Sequence, residues 1–384
     1  MQRSSGTSGA SAVRDAYGFL LDDDTAVENN LAAAAHEMDV LPRQRKAWAD
    51  LAKQDNMSEA VSAARKKSAK FKAMIRGGIP DELRKDVWPV LCGANKVKRS
   101  LNDPEYYQKR LHEVDAKEKA DLAARAAEEG ARKAGDPPRS TWDLLDTCEQ
   151  IDKDLGRTFP SHSLIATPEG QASLRRLLRA YCAGRNPHTG YCQGMNFLGA
   201  MLLCVMAAGP ANGQASSTGY ASPAGPVEEE AAFWMLVVLV ERLLPADYFT
   251  DGLTGVRVDS EILLDLMRER LPALHAHFNE CGALPLLPMV TTQWFISLFV
   301  HWLPTRGLLR LWDCFFADGL KSKNKTFFRA ALTLFKLHET SLQSVTDTQE
   351  MMDALKTMAK QNLDADALVH ELYNKQWLVT KQRI

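Results

Sequence analysis

The chain has 384 residues, 45% of them hydrophobic and 25% charged, the proportions of an ordinary globular protein with a sizeable core rather than of a disordered or fibrous chain. At roughly 150 residues per domain the length allows two or three small domains or one large helical one. Lys and Arg number 47 against 48 Asp and Glu, a net charge of -1, so no overall field draws the chain to nucleic acid, anionic lipid or a polyanionic substrate.

Residues 1–12 are rich in Ser and Gly and lack the basic-then-apolar order of a secretory signal. Helical patterns follow over 27–38, 43–53 and 58–71, but with few large apolar residues, so the first 70 residues read as an extension, partly helical or disordered. Gly77, Gly78 and Pro80 then introduce a helix. Residues 103–133 are rich in Ala, Glu, Lys and Arg, which suits a solvated helix or a partly ordered excursion closed by Pro137 and Pro138. Leu174, Leu177, Leu178 and Tyr181 recur at helical spacing, and an apolar helix is expected over 197–206 after the polar turn 184–190. Gly, Ser, Ala and Pro dominate 207–226, the mark of a flexible loop. Pro272, Pro285, Pro288 and Pro304 mark later turns. Helical periodicity runs nearly throughout and alternating strand patterns are scarce, so the expected fold is all-α. The apolar stretches 197–208 and 231–240 fall short of the ~20 residues that span a bilayer. Seven cysteines without a CxxC pair argue against a zinc site or a disulfide framework. These features predict a soluble cytoplasmic protein.

Much chemistry is missing. No GxxxxGK[ST] phosphate loop, GxGxxG turn or GxSxG nucleophile turn occurs, which counts against a nucleotide-binding enzyme or a hydrolase with its own nucleophile. His275 and His277 lie two apart on an expected helix and point in different directions, so they cannot chelate one ion. Cys192 has no recognisable His or Asp partner and reads as an inert thiol.

Three segments carry chemical possibilities. In the first, Arg84 and Trp88 fall on one helix face four apart, where a guanidinium can lie over an indole; a capped helix with a core Trp is the plain alternative. In the second, Asp154 and Arg157 are three apart, so the carboxylate can tether a guanidinium while Ile151 and Leu155 anchor the opposite face, and Pro160 ends the helix nearby. Such an Arg can project and fork onto phosphate oxygens, or be an ordinary surface ion pair. In the third, Tyr191, Gln193, Gly194 and Asn196 precede the apolar helix; Gln193 offers donor and acceptor, and Gly194 removes a side chain that would block close approach. Gln193 can position a water molecule or cap the helix.

In this order the segments resemble the TBC domain of GTPase-activating proteins for Rab GTPases. Its RxxxW pattern is met by Arg84 and Trp88, IxxDxxR by Ile151, Asp154 and Arg157, and YxQ by Tyr191 and Gln193. The likeness continues through 229–234, 294–299 and 311–313. It implies an all-α, V-shaped, two-lobed domain over 71–342, with insertions near 103–138 and 207–226 and a helical segment 343–384 packed on it. It further implies that Arg157 and Gln193 act in trans as arginine and glutamine fingers on a GTP-loaded Rab. Asp154, Ile151, Tyr191, Gly194 and Asn196 would support them, and Arg84 and Trp88 would hold the architecture. The chain would then need no cofactor or metal of its own, since the partner brings GTP and Mg²⁺, and would act as a monomer without binding nucleic acid or inserting into a membrane. The basic face of Arg175, Arg176 and Arg179 either meets an acidic surface of the GTPase or is simply solvated. A catalytically silent TBC scaffold is the alternative, although a pure scaffold needs neither finger.

The composition of 207–226 cannot hold a site rigidly. Replacing it with a short Gly/Ser linker is expected to preserve folding and most stimulation of a GTPase. Loss of activity toward every GTPase with an unchanged melting curve would give the loop a functional role.

Overall fold

The computed structural model describes residues 14–15, 17–20, 41–53, 56–65, 69–129, 144–186, 190–207, 226–319, 324–358 and 363–377. Among them are eighteen α-helices, and the only β-type pairing is an isolated bridge from Arg14 to Leu20. The all-α expectation holds. The loop 208–225, residues 130–143 and the helical pattern at 27–38 lie outside the described residues.

The chain begins with α1 (Leu41–Leu51), α2 (Met57–Arg65) and α3 (Ala69–Arg76), followed by α4 (Arg84–Cys92) and α5 (Ala94–Ser100). Next come α6 (Tyr106–Glu129), α7 (Leu144–Leu155), α8 (Pro168–Arg179) with a π-helical end at Ala180–Arg185, α9 (Met195–Ala207) and α10 (Pro226–Val238). α9 forms the centre of this first group: from Met195 to Met206 all but Phe197 are buried, because α8, α10, α4 and α7 surround it. α8 shows how sequence sets an element. Thr167 caps it by accepting the Gly170 N–H at 3.0 Å and Pro168 occupies its first turn. Leu174, Leu177 and Leu178 then turn one face to the core.

A second group holds α11 (Thr254–Arg270), α12 (Pro272–Glu280), α13 (Leu287–Ile296), α14 (Thr305–Asp318), α15 (Lys325–Leu337) and α16 (Glu339–Gln343). It ends in α17 (Thr348–Thr357) and α18 (Ala365–Leu372). α17 packs on α13 and α18 on α14 and α15, burying Met351, Leu355, Leu368 and Leu372. α14 also packs on α3 and α4, which joins the two groups. None of these helices is long and apolar enough to cross a membrane.

At that junction Trp88 is a core residue, the plain one of the two alternatives, and instead of stacking with Arg84 it shares an acceptor with it. Asp313 of α14, fully buried, accepts from Arg84 Nε and Nη2 at 3.0 Å each and from Trp88 Nε1 at 2.7 Å. Burial works against the Arg84 charge, but Asp313, Tyr17 and Asp81 outweigh it and lift its pKa well above the ordinary value. Trp88 packs its ring on Trp312 and Phe316.

The charged stretch is a helix, one of the two alternatives, but it is not solvated along its whole length. The first half of α6 is docked, with Tyr107 buried and donating to Glu229 at 2.5 Å, and Leu111 and Val114 buried beside it. Its alternation of Ala with charge hides this anchor, because three apolar residues suffice to seat it.

Removing half of a buried ion pair strands the other charge. Asp313→Asn is therefore expected to cost about 3–5 kcal/mol of stability, read from denaturant unfolding. The exposed pair of Arg268 with Asp265 supplies a control: Arg268→Ala should leave the midpoint essentially unchanged.

Candidate functional site

α7 places Asp154 inward because Leu144, Leu145, Cys148, Ile151 and Leu155 turn the same face to the core, while Asp152 and Lys153 stay exposed. The helix stops at Leu155, where the Thr158 hydroxyl donates to the Asp154 carbonyl at 2.6 Å. This folds Arg157 back on its carboxylate. Asp154 Oδ1 accepts from Arg157 Nε at 2.7 Å and lies 2.5 Å from Nη2, and Oδ2 accepts the Tyr191 hydroxyl at 2.5 Å. The Asp154 side chain is 5% exposed and that of Arg157 is 52% exposed, so the tether is buried and the guanidinium faces solvent. Burial, and then Asp154, push the Tyr191 phenol far above its usual pKa, which keeps it a donor.

Gln193 stands in the turn before α9 as an exposed residue. Gly194 has φ +114°, and a Cβ there would lie 3.2 Å from both the Cγ1 and the carbonyl oxygen of Ile296, so glycine is required twice over. The Gly194 N–H donates to Asn196 Oδ1 at 3.0 Å, and Asn196 Nδ2 donates to Thr158 Oγ1 at 2.7 Å. The turns bearing Arg157 and Gln193 are thus bonded together twice, through Asp154–Tyr191 and through Thr158–Asn196. Thr158 was missed in the sequence although it stands beside Arg157; a hydroxyl there has no pattern to announce it.

Gln193 lines a cleft of about 350 Å³ where the two helix groups meet. Phe197 belongs to its near wall, and Leu253, Gln293, Val300, His301 and Trp302 to the far one. These far residues were not anticipated, since they lie 60 to 109 positions beyond Gln193 along the chain. Backbone strain gathers here. Phe159, Leu253, Leu298, Phe299 and His301 all have positive φ without being glycine, and such residues cost on the order of 1–3 kcal/mol each. Burial pushes the Cys192 thiol up to about 11, in keeping with an inert group.

The basic face of α8 is neither free nor turned outward as a set. Arg176 forks onto buried Glu229 at 3.0 and 2.6 Å, Arg175 bonds Asp152 at 2.8 Å, and Arg179 joins Glu118 and Asp152 at 2.8 and 3.0 Å. These arginines hold α6, α7 and α10 to α8. His277 bonds the Val345 carbonyl at 2.7 Å, and among the described residues no group of three or more His, Cys, Asp or Glu is placed to hold a metal ion.

The model of the Rab-GTPase-TBC domain family matches residues 81–343, so the chain belongs to that family, for which Rab GTPase activation is the general function although some of its members are catalytically inactive. It is 32% identical over 351 residues to growth hormone-regulated TBC protein 1 of Xenopus laevis, covering 90% of this chain and 83% of that one. TBC1 domain family member 2A of Mus musculus is 31% identical over 363 residues, covering 94% of this chain but 33% of its own. Among solved structures, the Chlamydomonas flagellar RabGAP TBC domain superposes with a TM-score of 0.68 at 25% identity, covering 94% and 98% of the two chains. The Ypt/Rab-GAP domain of Gyp1p, at 20% identity and a TM-score of 0.61 over 79% of this chain and 89% of that one, shares the fold.

His162, in the segment after Arg157, accepts the N–H groups of Leu164 and Ile165 on Nδ1 at 3.0 and 3.2 Å. Burial pushes its pKa down to about 4. Between about 4 and 6.5 the unfolded chain therefore binds a proton that the folded one refuses. The stability from this group is complete above pH 6.5 and is lost as pH falls through 4. Unfolding midpoints measured across that window should fall with acid, and His162→Asn, an acceptor with no proton to gain, should flatten the slope.

Proposed function

We propose that this chain accelerates GTP hydrolysis by a Rab-type GTPase in its GTP form, supplying Arg157 as an arginine finger and Gln193 as a glutamine finger. The observation that carries this reading is the half-exposed Arg157 side chain, held by a buried carboxylate on the same hydrogen-bonded frame as the exposed Gln193. Asp154 engages one edge of the guanidinium and leaves its other N–H groups for phosphate oxygens. Gln193 has the donor and the acceptor needed to align an attacking water. An arginine finger is worth about 10³–10⁵ in rate, roughly 4–7 kcal/mol of barrier, far above the ~0–1 kcal/mol of a surface ion pair. The chain itself acts as a monomer and carries neither nucleotide nor metal; GTP and Mg²⁺ belong to the partner. It works in the cytoplasm, drawn peripherally to membranes that carry its Rab. Tyr191, Gly194 and Asn196 hold the glutamine turn, and Ile151 seats the helix behind Asp154.

The test is single-turnover hydrolysis with a panel of GTP-loaded Rabs and with a responsive Rab whose own catalytic glutamine is changed to Leu. Wild type is expected to stimulate both forms. Arg157→Ala should reduce stimulation by orders of magnitude in a folded protein, with poor rescue by Lys, since a point charge cannot reproduce the planar fork. Gln193→Ala should abolish stimulation of both. An inert Leu-substituted partner, beside a normal partner that still responds to Gln193→Ala, would remove Gln193 from the mechanism; stimulation of no Rab at all would make the chain a scaffold.

A further inference from the structure

The family match begins at residue 81, yet residues 14–15 and 17–20 are seated against the segment that follows Arg157. Their shape is locally determined. Asp15 Oδ1 accepts the N–H groups of Tyr17 and Phe19 at 2.9 and 3.0 Å, and the Gly18 N–H donates to the Asp15 carbonyl at 3.0 Å. Gly18 sits at φ +90°, a conformation glycine adopts readily.

This small turn grips its neighbours at several points. Tyr17 is buried and its hydroxyl accepts from Arg84 Nη1 at 2.8 Å, which keys the turn to the Arg84–Asp313 pair. Phe19 meets the Phe159 ring edge-on at 4.9 Å and the His162 ring at 4.4 Å. Arg14 Nη1 donates to the Ser161 carbonyl at 2.5 Å, and the Ser163 N–H donates to the Gly18 carbonyl at 3.2 Å. Four residues of 159–163 are thereby held, beginning two positions after Arg157.

Phe159 is the hub of these contacts. Its φ of +47° is one that a phenylalanine keeps only where its surroundings impose it. Phe19 covers it from one side; Phe197 at 5.8 Å and His301 at 4.8 Å, both lining the cleft with Gln193, meet it as well. An aromatic chain thus runs from the N-terminal turn through the arginine-bearing turn to the cleft wall.

We propose that residues 14–15 and 17–20 form a strap that sets the position of the arginine-bearing turn, with Phe19 as its principal positioning residue. The proposal rests on Arg157 being the arginine finger. Asp154 fixes the guanidinium from the helix side, and the strap fixes the chain leaving the turn, so Arg157 is restrained at both ends. Loss of the strap lets Phe159 relax from its left-handed backbone and shifts Arg157 relative to the cleft.

The experiment uses the full chain carrying Phe19→Ala, with Phe19→Leu as a milder variant that keeps apolar volume and loses the edge-on ring. Amide hydrogen exchange is followed for 159–165, with α9 and α14 as internal references. Exchange at Ser163 and its neighbours is expected to rise on the order of tenfold, with the reference helices unchanged. In single-turnover hydrolysis at saturating Rab·GTP, the maximal stimulated rate should fall about ten- to hundredfold while the half-saturating concentration holds. In an Arg157→Ala background the same substitution should have no further effect. Unchanged exchange over 159–165 in both variants, or an equal loss of rate in the two backgrounds, would overturn the proposal. A wild-type chain that stimulates no Rab would instead overturn the finger reading, while the exchange arm still reports whether the strap holds the turn.

Discussion

A carboxylate cut off from water has to find its donors inside the protein, and Asp313 finds three on a helix more than two hundred residues away in sequence: two from Arg84 and one from Trp88. An apolar replacement of similar volume could match such a pair in net stability, so its value lies in register. α4 cannot slide along α14 by one turn without stranding a buried charge. Because α14 packs from the second helix group onto α3 and α4 of the first, this interaction acts with the contacts of Gly194 with Ile296 and of Phe159 with His301 to set how the two halves of the cleft face each other.

Asp154 obeys the same rule with a different outcome. It is also buried and also satisfied by a guanidinium and a ring-bearing donor. Arg84, however, is sealed in with its partner, whereas Arg157 keeps half its surface in water. The difference arises from backbone. Arg84 begins a helix whose flanks are covered by α14 and Tyr17; Arg157 follows a helix end, where the chain turns and leaves its side chain half exposed. A buried anchor with an exposed arginine gives a charge that is aimed yet still available.

The helical class and most of the residues around Arg157 and Gln193 were legible in the sequence, because periodicity and short spacings are local. Ile151, Asp154 and Arg157 lie within two helical turns, so their shared geometry follows from 3.6 residues per turn. Tyr191 and Gly194 were recognisable from motif and backbone freedom. What could not be read was long-range pairing. Nothing near Arg84 says that its acceptor is at 313, and the three arginines of α8 look solvated until Glu229, Glu118 and Asp152 are brought beside them. The same blindness hid Gln293, His301 and Trp302, and made α6 look detached although Tyr107 fastens it. Strain is equally silent: Leu, Phe and His carry no compositional hint of a left-handed backbone, whereas Gly194 does.

The distribution of strain follows from that division. Both candidate fingers stand on the first group, where caps, a central apolar helix and paired hydrogen bonds satisfy the backbone and Phe159, beside Arg157, is the strained residue nearest them. Leu253, Leu298, Phe299 and His301, all in unfavourable φ, stand on the second group; Leu253 and His301 line the opposing wall, and Leu298 and Phe299 lie next to its residues Ser297 and Val300 in the chain. Strained residues persist only where the surrounding packing over-determines them, and here it does: Trp294, Phe295, Phe299, Phe315, Phe327 and Phe335 form a continuous aromatic cluster beneath the wall. The second group therefore holds most of its strain on an aromatic base, and the first holds Phe159 in place by the rings of Phe19, Phe197 and His301. Since α14 contributes both Phe315 to that base and Asp313 to the lock on α4, the packing that sustains the strained wall and the ion pair that helps set its position relative to Arg157 and Gln193 share one helix.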